Sequence, residues 1–414
     1  MLILQWIFSS LTAILLLFLL LPFVTVLLSR FRRENIQRVG SPEAPFQSCD
    51  FACIITAYKN VAITEPLVVS LLRQTHEDYI VYLVADECDI SSWTLTDDRL
   101  VLLRPDPPLR LKAKSIIHAI ENFRRPHEYC VVFDADNLAH PDFLKEINVY
   151  VNNGHRTIQG QRTAKNLDTV YACADSTGEF FKNYVERYAP YLIGTSSVIS
   201  GSGMAVETEL YKAYLNSPEI QQGKEKWKKM LQEDKILQNF LLLQNERITY
   251  AWNAIVYDEK VTTAEQVETQ RSRWLFSYFQ NLPNSSGILL RGIGGLSWNQ
   301  FYFGLITLSP PLFILLGSSL LLAVVAFFVQ PWLSLALVGG VGIFGLTILW
   351  SLYLSKVPRK IWEALWGLPL FAWNQFTALT KMGNPNKNFK HTEHNRTYTI
   401  EEVLDTGASP KEKK

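Results

Sequence analysis

Three clusters in this 414-residue chain have the residue types and spacing to do chemistry. Asp134-Ala135-Asp136 directly follows the apolar run Cys130-Val131-Val132-Phe133. Two carboxylates two residues apart, on a turn leaving a buried strand, can sit beside one cation. Hard cations such as Mg²⁺ or Mn²⁺ prefer oxygen ligands and also take substrate phosphates; a solvated acidic turn is the plainer reading. Gln232-Glu233-Asp234 opens an amphipathic helical pattern over 235–245. Carboxylates at a helix N-terminus are favoured by the helix dipole, so capping accounts for them fully. The functional alternative is a general base for an acceptor hydroxyl. Gln270-Arg271-Ser272-Arg273-Trp274 lies in an aromatic-rich helical stretch, and helical spacing puts Gln270, Arg273 and Trp274 on one face. Arginine forks match phosphate oxygens, and an indole face can stack on a sugar ring. Ordinary membrane-interface anchoring explains the same residues, and both readings can hold together.

The elements that must position these residues alternate. Residues 51–56, 80–85, 100–103 and 129–133 are short β-rich apolar runs, with helical patterns over 66–74 and 111–123. Pro66 suits a first helical turn. Strand–helix alternation implies an α/β fold with a mainly parallel sheet covered on both faces. In such a sheet ligands bind at the carboxyl ends of the strands. That singles out Tyr58 and Asn60 after the first strand, Asp86 after the second, and Asp134 and Asp136 after the fourth.

Apolar residues pile up outside this region. From Met1 to Leu28 there is no charge, and Arg30, Arg32, Arg33 and Arg38 come next. Such a helix is about 40 Å long, enough to cross an apolar core of about 30 Å. A cleaved signal peptide would carry its basic residues first. The order seen here predicts a membrane span over 1–29, a basic linker over 30–50, and a cytoplasmic side for the residues beyond the linker. Residues 298–355 read as a hairpin of two spans broken at Gln330-Pro331-Trp332, with Lys356, Arg359 and Lys360 after it. Gly339, Gly340, Gly342 and Gly345 would let neighbouring helices approach closely. The catalytic domain is expected over 51–262 and an interfacial helix region over 263–297. Residues 356–382 suit an interfacial helix better than an additional span. Residues 383–414 read as a polar cytoplasmic tail, partly disordered. His391 and His394 are surface residues on this reading, because no third metal ligand accompanies them.

Bulk composition excludes some functions. Charged residues are 19%, below the usual level of about 25% for soluble proteins. The formal net charge of +1 gives no broad basic surface for nucleic acid. Five cysteines without paired zinc spacing read as free thiols in a reducing compartment.

Taken in order, these motifs resemble the family 2 glycosyltransferases of membranes, a group that includes cellulose, chitin, hyaluronan and poly-N-acetylglucosamine synthases. The resemblance spans about residues 50–280 and implies a Rossmann-like glycosyltransferase A domain. Ile55-Thr56-Ala57-Tyr58-Lys59-Asn60 resembles the family's first-strand loop at the uracil, without its usual Pro and Asn-Glu. Asp86 in Val84-Ala85-Asp86-Glu87-Cys88 matches a uracil-contacting aspartate, and Lys114, after Arg104-Pro105, the lysine near the nucleotide. Asp134 and Asp136 match the Asp-x-Asp element, the second as direct ligand of Mg²⁺ or Mn²⁺. Gly201-Ser202-Gly203-Met204-Ala205 resembles the acceptor-side strand, with Gly203 and Glu233 beside the acceptor. Asp234 matches the catalytic base, with Gln232 in place of the usual first residue of that motif. Gln270, Arg273 and Trp274 fit the Gln-x-x-Arg-Trp signature of processive members; Arg271 joins Arg273 on the diphosphate and Trp274 faces the acceptor. The resemblance implies a membrane-bound inverting enzyme. It would transfer a sugar from a UDP-sugar to a growing polysaccharide, in a lipid bilayer that the pattern suggests is the bacterial inner membrane. A single-transfer enzyme acting on a lipid or lipid-linked acceptor is the alternative, and a catalytically dead binding scaffold a more distant one.

Overall fold

The computed structural model describes residues 2–40, 45–226, 232–368 and 398–405. In chain order the elements are α1 (Leu2–Ser29), β1 (Phe51–Tyr58), α2 (Glu65–Leu72), β2 (Tyr79–Asp86), β3 (Leu100–Leu103), α3 (Lys112–Glu121), β4 (Tyr129–Asp134), β5 (Leu138–Ala139), α4 (Phe143–Asn152) and β6 (Thr157–Ala164). Next comes α5 (Val170–Lys182), which runs through a π-helical turn, Asn183–Tyr188, into α6 (Ala189–Leu192). Then come β7 (Met204–Glu207), α7 (Thr208–Leu215), α8 (Pro218–Lys226), α9 (Glu233–Leu243), β8 (Thr249–Asp258), α10 (Ala264–Gly294), α11 (Trp298–Leu308), α12 (Leu312–Val329), α13 (Pro331–Leu354), α14 (Arg359–Glu363) and α15 (Ile400–Asp405).

The eight strands form one sheet in the order β3-β2-β1-β4-β7-β6-β8-β5. The half made of β1 to β4 is parallel, as the alternation of strands and helices predicts. The other half is mixed: β7 runs antiparallel to both neighbours, β6 and β8 pair in parallel, and β5 closes the edge antiparallel to β8. The parallel strands are apolar nearly throughout because helices cover both faces. Register aligns their carboxyl ends, with Tyr58 opposite Asp86 and Thr56 opposite Asp134. All five cysteines are free and buried.

Among the described residues three helices, within α1, α12 and α13, are long and apolar enough to cross a membrane. The second apolar region is broken once more than its composition suggests. Pro310 and Pro311 separate α11 from α12, because proline disfavours helix at the residue before it and lacks a donor. α11 therefore folds back on α10 instead of extending α12 into a longer span. Of the four glycines in α13, only Gly340 makes a close approach. A Cβ there would lie 2.8 Å from Leu16 of α1, whereas Gly339, Gly342 and Gly345 have nothing within 4 Å. Close approach through glycine thus occurs at one position of this helix pair, not along a stripe of four.

Residues 361–368 complete α14 and a 3₁₀ turn, Ala364–Gly367. The rest of the expected interfacial helix, with His391 and His394, lies outside the described residues. The expected tail is not wholly detached: α15 buries Ile400 and Val403 against Leu138, Ile255 and Tyr257, and Glu401 pairs with Arg73.

Candidate active site

At the carboxyl edge of the parallel half, local sequence sets the first row of side chains. Asp86, at the end of β2, is buried and accepts the backbone N–H groups of Leu109 at 2.8 Å and Arg110 at 2.5 Å. Its two oxygens fix the loop entering α3. Arg110 in turn donates to Glu87 at 3.0 Å. Tyr58, at the end of β1, is partly exposed; its phenol bonds Glu87, and burial and that carboxylate push its pKa up. Asp134 ends β4. Its N–H lies 3.1 Å from Asn137 Oδ1 and 3.2 Å from Ser202 Oγ, which tie the acidic turn to the start of β7.

Beside this row opens a cavity of about 1490 Å³. Asp134, Asp136, Glu233, Asp234, Gln270, Arg271, Arg273 and Trp274 all line it, although they come from widely separated segments. Tyr58, Asp86, Lys114 and Gly203 are not among the lining residues. Gly203 packs instead at φ +62° where a Cβ would meet Val256 at 2.7 Å, and Gly201, at φ +84°, is the glycine facing Asp234. The lysine that reaches the carboxylates is Lys112, two residues before Lys114 and missed from sequence. Lys112 Nζ donates to Asp134 Oδ1 at 2.6 Å and to the Gly201 carbonyl at 3.1 Å, and lies 3.6 Å from Glu233. The Arg104-Pro105 landmark points to the right helix but does not fix which of its two early lysines turns inward.

Glu233 and Asp234 open α9. Burial pushes the Glu233 carboxyl up to about 7; Lys112 opposes the rise and Asp234 adds to it. The Gln232 that departs from the family motif has a structural task. It accepts from Ser277 Oγ at 2.8 Å and donates to Gln280, both on α10. Asn239 donates to Asn281 at 3.1 Å further along the same pair of helices. These polar pairs clamp the helix carrying the carboxylates to the helix carrying Gln270, Arg273 and Trp274. The Oε1 of Gln270 is buried with no hydrogen-bond partner among the described residues. Burial of such an acceptor is costly unless a ligand satisfies it. Burial lowers the pKa of Arg273, and the Asp134 carboxylate pulls it the other way. Arg271 pairs with Asp175, and its guanidinium lies 4.2 Å from the Trp274 ring, which also carries Lys182 Nζ at 5.2 Å.

A second charged group was not legible in the sequence. Arg162 on β6, Glu179 on α5, Arg187 in the π-helical turn, and Asp258 and Lys260 at the end of β8 form a buried network. Glu179 lies 2.8 Å from Arg187 and 3.2 Å from Arg162, and Lys260 lies 2.9 Å from Asp258. Burial disfavours ionised Glu179, but Arg162, Lys260 and Arg187 outweigh it and hold its carboxyl well below the usual range. Arg162, Glu179, Arg187 and Asp258 all reach the cavity wall. Their only signal was charge within strands and helices, with nothing local to pair one element's charge with another's.

The donor set at Asp134 and Asp136 suits a hard divalent cation. Its ligands are carboxylate oxygens only, and among the described residues no group of three or more His, Cys, Asp or Glu converges. Such a cation would keep waters and accept phosphate oxygens. A zinc-type cage is not built among these residues.

Residues 49–277 match the model of the glycosyltransferase-like family 2. The chain belongs to that family. Its mixed sheet with flanking helices is the glycosyltransferase A-like arrangement, and the chain is a glycosyltransferase. No curated protein matches it. Among solved structures it is similar to the mannosyltransferase PcManGT from Pyrobaculum calidifontis in complex with GDP-Man and Mn²⁺. That match has 11% identity and a TM-score of 0.49, and covers 91% of this chain and 98% of the other. It is also similar to residues 1–349 of TarS from S. aureus, at 12% identity and a TM-score of 0.38, covering 80% of this chain and 89% of that one.

Proposed function

We propose that this family 2 glycosyltransferase is a membrane-bound, metal-dependent inverting enzyme that transfers a sugar from a UDP-sugar to an acceptor hydroxyl. The observation that carries the reading is convergence. The acidic turn, the paired carboxylates of α9 and the Gln270–Trp274 face of α10 meet around one cavity beside the carboxyl ends of the parallel strands. Asp86 and Tyr58 mark the nucleotide side. Lys112, Arg271 and Arg273 gather positive charge where a diphosphate departs, and the orphaned Gln270 oxygen can accept a donor group of the substrate. Asp136, with Asp134, would hold Mg²⁺ or Mn²⁺, which when bound neutralises the leaving diphosphate. Asp234 takes the proton from the acceptor hydroxyl as its oxygen attacks the anomeric carbon. The carbon–oxygen bond to the diphosphate breaks on the opposite face and inverts the centre. Lys112 keeps Asp134 and Glu233 together while this happens.

The charge order along the chain supports a catalytic domain and C-terminal segment on the cytoplasmic side of the membrane, which on this reading is a bacterial inner membrane. The Gln270-x-x-Arg273-Trp274 element supports a growing polysaccharide as acceptor by family resemblance. The apolar part of the cavity favours a different acceptor, a lipid. The test is transfer of label from a panel of UDP-sugars by the full chain in lipid nanodiscs. Cation-dependent UDP release with sugar transfer is expected. Absence of both with every donor would refute the reading.

A further inference from the structure

The cavity that holds Asp234 does not end at the catalytic domain. Its other limb runs between the membrane helices and is lined by Leu21 of α1, Pro311, Leu315 and Leu316 of the α12 region, and Phe344 and Ile348 of α13. These residues belong to, or directly adjoin, the helices long and apolar enough to cross a membrane. The volume of about 1490 Å³ exceeds the roughly 300–1,000 Å³ of a pocket that holds one small molecule. It therefore has room for more than a donor.

We propose that this limb binds the apolar chain of a lipid acceptor, whose hydroxyl head is presented to Asp234; the inference rests on the glycosyltransferase reading of the same site. Four observations carry it. Among the described residues, no charged side chain lines the membrane limb. Of its two small hydroxyl residues, Thr307 and Ser309, Thr307 spends its hydroxyl on the backbone carbonyls of Phe303 at 2.8 Å and Gly304 at 3.2 Å. A polysaccharide brings hydroxyls on every ring and would find almost no partners there, whereas an alkyl chain needs none. Leu312 and Leu320 line the limb and are 40% and 50% exposed, so its apolar lining continues to the surface of α12, one of the helices long and apolar enough to cross a membrane. Finally, the Trp274 ring at the neck is already engaged by Arg271 and Lys182, so it is not a bare platform on which successive sugars could stack. In the reaction the lipid hydroxyl oxygen becomes the glycosidic oxygen, its proton goes to Asp234, and the electron pair of the broken bond leaves on UDP.

Gly317 allows a clean test. It lines the cavity, and a Cβ built there meets nothing within 4 Å. A larger side chain there starts in open space at the cavity wall. The full chain would be placed in phosphatidylethanolamine–phosphatidylglycerol nanodiscs holding diacylglycerol, ceramide or hexadecyl glucoside. It would be given labelled UDP-glucose, UDP-galactose or UDP-N-acetylglucosamine. Label is expected in a chloroform-soluble product carrying one added sugar. Gly317→Ala, Gly317→Leu and Gly317→Trp should reduce that label progressively, at least tenfold for tryptophan, with the dissociation constant of UDP held within twofold. Butyl glucoside should accept at least tenfold less than hexadecyl glucoside. A water-soluble polymer as the sole product, or Gly317→Trp labelling lipid as the parent does, would overturn the lipid acceptor while leaving the transferase reading intact. No UDP release and no label in any phase would overturn both.

Discussion

The two halves of the site are built on different plans. One half, the rim of Tyr58, Asp86 and Asp134, stands on the ends of parallel strands whose register puts Tyr58 opposite Asp86 and Asp134 opposite Thr56. Each residue ends its own strand. The other half draws Arg162 from β6, Glu179 and Arg187 from one helix with a π-helical turn, Asp258 from β8 and Glu233 with Asp234 from α9. There the strands are mixed in direction, and position comes from long-range ion pairs and helix clamps. A π-helical turn within an α-helix is rare and often marks a functional site; here it delivers Arg187 to Glu179. The contrast suggests a rim that can be altered one residue at a time, and a second half that responds as a unit.

The acidic turn, where the halves meet, should be the most sensitive point. Chelation of divalent cations, or Asp136→Ala, should abolish transfer in a labelled-donor assay; full activity in excess chelator would exclude the metal. Next in size is the buried ion network. Glu179→Gln leaves Arg162, Arg187 and Lys260 in the interior with one counter-charge fewer, and breaking a buried pair in this way typically costs about 3–5 kcal/mol. Thermal unfolding should show a large fall in Tm. A fall no larger than that of an exposed substitution would mean the network is not acting as a unit.

At the rim the expected effect is smaller. Asp86→Ala removes the acceptor for two backbone N–H groups and frees the loop before α3. Loss of such hydrogen bonds costs about 1–3 kcal/mol of stability, so Tm should fall, by less than with Glu179→Gln, and titration calorimetry should show weaker UDP binding; a variant matching the parent in both would mean that Asp86 holds neither the loop nor the nucleotide. The smallest effect is a pH dependence. Glu233 is held up to about 7, so its charge appears as pH rises through that value. The new negative charge beside Asp234 favours proton uptake by the base, and kcat/KM should climb across the same range. Glu233→Gln should flatten the step. The stability effect has the opposite sign. Because the folded pKa lies above the unfolded value of about 4.3, the contribution is complete below about 4.3 and lost as pH rises through 7. Glu233→Gln should thus gain Tm relative to the parent at pH 8 but not at pH 4.

The same contrast explains what the sequence made legible. The four parallel strands appear as apolar runs within two residues of their ends, and the acidic residues after them are placed by those runs. α9 and α10 are legible by period, and so are the three apolar helices. The choice of Lys112 over Lys114 depends on how α3 rotates against the sheet. The Pro310-Pro311 break was overshadowed by the apolar composition around it. The α15 contact joins residues more than 100 positions apart, and no local pattern encodes it. The Arg162–Glu179–Asp258 network is hidden for the same reason: Arg162 on β6 meets Glu179 on α5 and Asp258 on β8 only in the fold.

Asp234→Asn is the decisive substitution, because it keeps the shape of the side chain and removes only its ability to take a proton. Donor turnover with an acceptor present should be compared for the parent and the variant in nanodiscs, with UDP affinity measured on the same preparations. Loss of general-base assistance predicts a rate lower by about 10²–10⁴ with UDP affinity unchanged. Turnover within a few-fold of the parent would contradict the assignment of Asp234 as the group that activates the acceptor.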